Sequence, residues 1–254
     1  LWTSDGTPIG TYLFKDIYAG PASSWPRGLK AVGDRLFFSA DDGRTGSELW
    51  TSDGTLEGTQ LFKDIWSGPT SSHPWQLTVM GNRLLFSALH DLWVTDGTSE
   101  GSHRIQAALR APVELTVLGD RLFFGASEGS TGDDELWTSD GTPEGTYRVT
   151  DIWPGPYGST PRRLTAVGNQ LFFRASDGST GSELWTSDGT PEGTRLVRDI
   201  QPGASRSDPQ GLTGAGGRLF FTADDGSSGR ELWISDGTSE GTFLVEDIWP
   251  GAEG

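Results

Sequence analysis

The chain has 254 residues, with 19 Lys and Arg against 35 Asp and Glu, a formal charge of −16. A surface of that sign repels phosphate backbones and argues against nucleic acid as a partner. There is no cysteine, and no apolar run approaches the roughly 20 residues of a membrane helix, so neither a disulfide framework nor a helical membrane span organises the fold.

Thirty-seven glycines and 14 prolines, with no window of sustained helical periodicity, point to an all-β chain rich in turns. Repetition is the dominant signal. A Leu-Trp pair begins at Leu1, Leu49, Leu92, Leu136, Leu184 and Leu232, in steps of 48, 43, 44, 48 and 48 residues. Gly-Thr (Gly58-Thr59, Gly145-Thr146, Gly193-Thr194, Gly241-Thr242) and then Asp-Ile (Asp64-Ile65, Asp151-Ile152, Asp199-Ile200, Asp247-Ile248) follow at fixed offsets. Self-similarity at this period assigns the core to stacked units, so one domain over residues 1–254 is expected.

In chain order, residues 1–17 supply a lone hairpin. The unit from Gly28 to Ile65 then holds four strands: Leu29 to Val32, Arg35 to Ala40, Glu48 to Ser52 and Thr59 to Ile65. Gly33-Asp34 and Asp53-Gly54 supply the turn chemistry between them. The longest link, such as Trp66 to Gln76, carries the chain to the next unit. Three short connections followed by a long one are propeller connectivity, so a β-propeller of four-stranded blades is predicted, with five complete repeats and a half. A five-bladed ring is favoured over a six-bladed one. The chain opens inside one repeat and stops inside another, as a piece of a longer array would. The third unit departs from the pattern: Leu89-His90-Asp91 replaces the long second-to-third loop, and Ile105-Gln106-Ala107-Ala108 replaces Asp-Ile.

The string from Glu48 to Thr59, repeated from Glu135, Glu183 and Glu231, resembles the bacterial ELWxxDGTxxGT repeat proteins over the whole chain. That resemblance implies an exported repeat array, outside the cell or at its surface, and no catalytic residues. The copy from Asp91 has Asp for Glu and Gly101-Ser102 for Gly-Thr.

Six motif tryptophans, at 2, 50, 93, 137, 185 and 233, read as packing between neighbouring units. The aromatics of the long connections, Tyr18, Trp25, Trp66, Trp75, Trp153 and Trp249, lie beside Ser24, Ser72 and Ser159 and near one rim. They either seal the gap between units or stack on a sugar whose hydroxyls the serines bind. Asp41-Asp42 and Asp224-Asp225, each followed by glycine, have the ingredients of a calcium turn without the alternating acids of an EF-hand; turn chemistry explains them with no metal or other cofactor. The Asp of each Asp-Gly-Thr is expected to accept hydrogen bonds within its own turn. His73, His90 and His103 occupy non-equivalent places, and His90-Asp91 is the only pair among them. The expected function is a non-catalytic extracellular adhesion module that binds a glycan or surface polymer through its rim. A purely structural scaffold and an enzyme with a central site are the alternatives. An acidic surface also predicts a monomer.

Overall fold

A computed structural model describes residues 1–106, 109–129 and 132–251. Among them there are strands and turns and no helix. The hairpin Trp2–Thr3 and Tyr12–Leu13 comes first. Five antiparallel sheets follow, each of four strands in sequence order. The first comprises Arg27–Val32, Arg35–Asp41, Ser47–Ser52 and Gln60–Lys63. The second comprises Trp75–Met80, Arg83–Ala88, Asp91–Thr95 and His103–Gln106. The third to fifth begin at Leu109, Arg162 and Gln210. The chain divides into two compact units, Leu1–Ala107 and Ala108–Gly254.

Within each unit the core lies between successive sheets, and the register shows why. In the first sheet Phe38 pairs with Trp50, and Phe37 with Thr51, so Phe37 and Phe38 face opposite ways. Phe38, Ala40 and Trp50 pack back onto Ile17 and Leu1 of the preceding segment. Phe37 and Leu49 pack forward onto Leu77, Leu84 and Phe86 of the second sheet. Leu184 and Trp185 divide their two faces in the same way in the second unit. A sheet buried on both sides needs continuous apolar strands, which accounts for Leu36-Phe37-Phe38 where alternation would suit a half-exposed sheet. Trp50, Trp137, Trp185 and Trp233 are buried and Trp93 is half-buried, each indole worth roughly 4–6 kcal/mol of transfer free energy by its area. Trp2 departs from the expected packing and is 67% exposed.

The Asp-Gly-Thr turns are self-contained. Asp53 Oδ1 accepts from the Thr55 amide at 2.9 Å and the Thr55 hydroxyl at 2.7 Å, and Thr55 Oγ1 accepts from the Gly58 amide at 2.9 Å. Thr59 Oγ1 donates to the Thr55 carbonyl at 2.7 Å and accepts from the Ser52 hydroxyl at 2.7 Å. The carboxylate folds back so far that a Cβ on Gly58 would overlap it, which fixes glycine there. The Thr55 hydroxyl and amide hold the Asp53 carboxyl below its usual range.

Strand four ends at Lys63, earlier than the predicted Ile65, whose amide is taken by a buried glutamate instead of the ladder. Glu48 is fully buried, and its carboxylate accepts from the Ile65 amide at 2.9 Å, the Ser72 amide at 2.8 Å and the Ser72 hydroxyl at 2.6 Å. Glu135 clips Ile152 and Ser159, and Glu183 clips Ile200 and Ser207, in the same way. In the second sheet Asp91 stands at this position and pairs with Arg104 at 3.0 Å. The predicted replacement segment there includes Ala107 and Ala108, which lie outside the described residues.

Two outcomes follow. Gly58→Ala lowers stability by about 1–3 kcal/mol, and the double variant with Asp53→Ala loses less than the two single losses added, measured by urea unfolding. Burial, only partly offset by Ser207 and the Ile200 amide, raises the Glu183 carboxyl from 4.5 to about 7. A group raised in the folded state stabilises fully below its unfolded value and loses that contribution as pH rises through the folded one. The melting temperature of the natural chain relative to Glu183→Gln therefore falls between pH 4.5 and about 7, and a constant difference across that range refutes the assignment.

Candidate functional site

At three of the repeats the residue after Asp-Ile meets the second-to-third loop of the next sheet. A Cβ on Gly43 would run into the Tyr18 ring, one on Gly178 into the Trp153 indole, and one on Gly226 into Gln201. Tyr18 and Trp153 are accordingly half-buried covers over glycine loops. Their position calls for sealing, the plainer of the two sequence readings.

Trp66 is the exception, because the loop that would meet it is missing. In the first, fourth and fifth sheets strands two and three are joined across Asp41↔Ser47, Ser176↔Ser182 and Asp224↔Arg230. In the second sheet they close at Ala88↔Asp91, with only Leu89 and His90 between. Both turn residues have positive φ, 54° and 67°. Asn and Gly normally fill such a two-residue turn, so Leu and His hold it under strain of roughly 1–3 kcal/mol each. The shorter turn also removes a partner: Ser39 Oγ lies 2.9 Å from Ser47 Oγ in the first sheet, whereas Ser87 Oγ in the second is buried with no partner.

The result is a cleft of about 580 Å³ in the first unit, with Trp66, 49% exposed, on one wall and Leu89 and His90 on another. Trp75, Pro74 and His73 line it from the long connection and the start of the second sheet, and Arg27 lines it from the first. Ser71 and Ser72 form part of its wall and are held from behind. Ser71 Oγ accepts from the Ser47 amide at 2.9 Å, and Ser72 is bound by Glu48. Among the described residues no carboxylate lines the cleft.

Of the residues singled out in the sequence, the structure brings Trp66, Trp75 and Ser72 together here. It places the others apart. Trp25 is 64% exposed, with the Arg27 guanidinium 5.5 Å from its ring centre, and Trp249 is 68% exposed. Ser24 and Ser159 are buried, Ser159 on Glu135. The candidate calcium acids are occupied by their own turns: Asp41 accepts from the Gly43 amide at 2.6 Å, Asp224 from Gly226 at 2.7 Å, and Asp225 from Ser227 at 2.8 Å. Burial alone would raise the Asp42 carboxyl, but the Thr45 and Arg44 amides outweigh it and hold it low. Arg27, His73 and Leu89 were not legible as site residues. The one signal was that His73 stands just before the shortened unit and His90 within its turn. A second arrangement, Asp133, Glu135 and Asp151 within 4.8 Å of one another, was also missed; Arg148 lies 3.8 Å from both aspartates, and backbone amides occupy Glu135.

No family model matches the chain, and no curated protein matches it. Solved structures do. The chain is similar to puromycin hydrolase (17% identity, TM-score 0.53, covering 90% of this chain and 40% of that one). It is similar to a prolyl endopeptidase (19%, 0.54, 87% and 34%) and to oligopeptidase B from Leishmania major (12%, 0.59, 95% and 36%). At these identities the likeness is one of fold, and the chain spans little more than a third of each of those proteins. It overturns the expectation of a glycan-binding or adhesion module, since the solved structures that share the fold are peptidases and a hydrolase.

The different surroundings of two equivalent indoles give a direct check. Trp153→Ala costs about 2–3 kcal/mol by uncovering its loop, while Trp66→Ala, already half in solvent, costs under about 1 kcal/mol, compared by urea denaturation.

Proposed function

We propose that this chain is a β-propeller, five-bladed or six-bladed, of the kind associated with peptidases, and that it receives peptide chains while cleavage belongs to catalytic machinery beyond the described residues. The observation that carries this reading is the match to oligopeptidase B, which takes in 95% of this chain but only 36% of that peptidase. The succession of four-stranded meanders joined by long connections supports the propeller.

The cleft suits reception. Its aromatic and proline walls offer apolar surface, and its serine hydroxyls and imidazoles offer polar partners to a peptide. Among the described residues neither His73 nor His90 hydrogen-bonds a hydroxyl, whereas nucleophilic attack needs a nucleophile and base within about 2.6–3.2 Å. The resemblance to exported bacterial repeat proteins supports a place outside the cell.

The test is to pass a mixed peptide pool over the immobilised full chain and identify what is retained by mass spectrometry. Retention of intact peptides is the expected result. Recovery of cleaved peptides would place catalysis inside this chain, and failure to retain any peptide would remove the reading.

A further inference from the structure

The charge of the cleft runs against that of the molecule. The chain carries 35 acidic residues, yet none lines this cavity, while Arg27, His73 and His90 all do. Arg27 is exposed and makes no ion pair among the described residues; its guanidinium leans over the Trp25 ring, which leaves its N–H edge available. The planar fork of an arginine matches a carboxylate with two parallel hydrogen bonds. Beside these donors stand two exposed indoles, Trp66 and Trp75, with Pro74 and Leu89. The volume, about 580 Å³, is that of a small-ligand site.

The shortened turn adds an independent pointer. A two-residue turn of this backbone is built without strain from Asn-Gly, yet here it carries Leu and His at φ 54° and 67°, and both line the cavity. Strain held at the mouth of a cleft is a mark of a site.

We infer that the cleft binds a carboxylate carried on an aromatic or apolar body, and that its source is the C-terminal residue of a peptide. The Arg27 fork takes the carboxylate, His73 and His90 add donors, and Trp66 and Trp75 flank the side chain. This inference rests on the peptide reading of the whole chain, and a free aromatic acid shares the same chemistry.

Calorimetric titration of the full chain decides it with four probes: Ala-Ala-Ala-Trp with a free C-terminus, the same peptide amidated, N-acetyltryptophan, and N-acetyltryptophan amide. Each free acid binds about tenfold or more tightly than its amide. Arg27→Gln, a change at an exposed residue, abolishes that preference, while Trp66→Ala weakens acid and amide alike. Replacing Leu89-His90 with the seven residues Ser176 to Ser182 restores the missing loop beneath Trp66 and removes binding, with circular dichroism confirming the sheets. Tighter binding of the peptide acid identifies the C-terminus as the source, and equal binding of N-acetyltryptophan identifies a free acid instead. Equal affinity for acid and amide overturns the inference. Retention of pooled peptides with no titration by any probe also overturns it while sparing the peptide reading; loss of both defeats the two together.

Discussion

In the first, third and fourth sheets a carboxylate with no access to water holds the long connection against its sheet. Glu48 reaches from strand three to the Ile65 amide and to both polar groups of Ser72, so one side chain fixes the two ends of a segment without regular structure of its own. Burial disfavours the charge and the donors favour it; burial is the larger effect at Glu48, Glu135 and Glu183. Removing one partner of such a group is costly because the rest stays buried and unsatisfied. Trp66, next to Ile65, and Ser72 in the wall of the cleft take their positions from this contact.

The clip works because the strand that bears it is enclosed on both faces. Alternate residues send Leu49 towards one neighbour and Trp50 towards the other, and the same strand turns the Glu48 carboxylate inwards. Among the described residues Trp50, Trp93, Trp137, Trp185 and Trp233 each bury an indole nitrogen with no acceptor, so hydrogen bonding adds nothing to the area they bury. Polar economy is concentrated instead in the turns, where Asp, Thr and Gly satisfy one another.

Much of this was legible beforehand. The spacing of Leu-Trp announced repeated units, the four runs between turn residues announced four-stranded sheets, and Asp-Gly-Thr announced its turns. The role of the motif glutamate was not legible, because a charged residue in a strand reads as solvent-facing until register and the course of the long connection are known. The cleft was half legible. The missing loop is plain in Leu89-His90-Asp91, but that it leaves Trp66 uncovered depends on which residue of one sheet reaches which loop of the next. The repeated string from Glu48 to Thr59 carries no trace of that cross-sheet relation. Trp2 shows the same limit, since an identical motif is buried or bare according to what lies over it.

The hollow beneath Trp66 is a cavity made by subtraction. Nothing had to be added to the repeat to create it; five fewer residues in one turn uncovered a surface that every neighbouring unit already possesses. Equivalent excisions of Asp177 to Gly181 or Asp225 to Gly229 would lay open Trp153 or Gln201 with different flanking chemistry. An array of this type therefore carries a set of latent recesses, and diversification can proceed by pruning loops while the strands stay untouched.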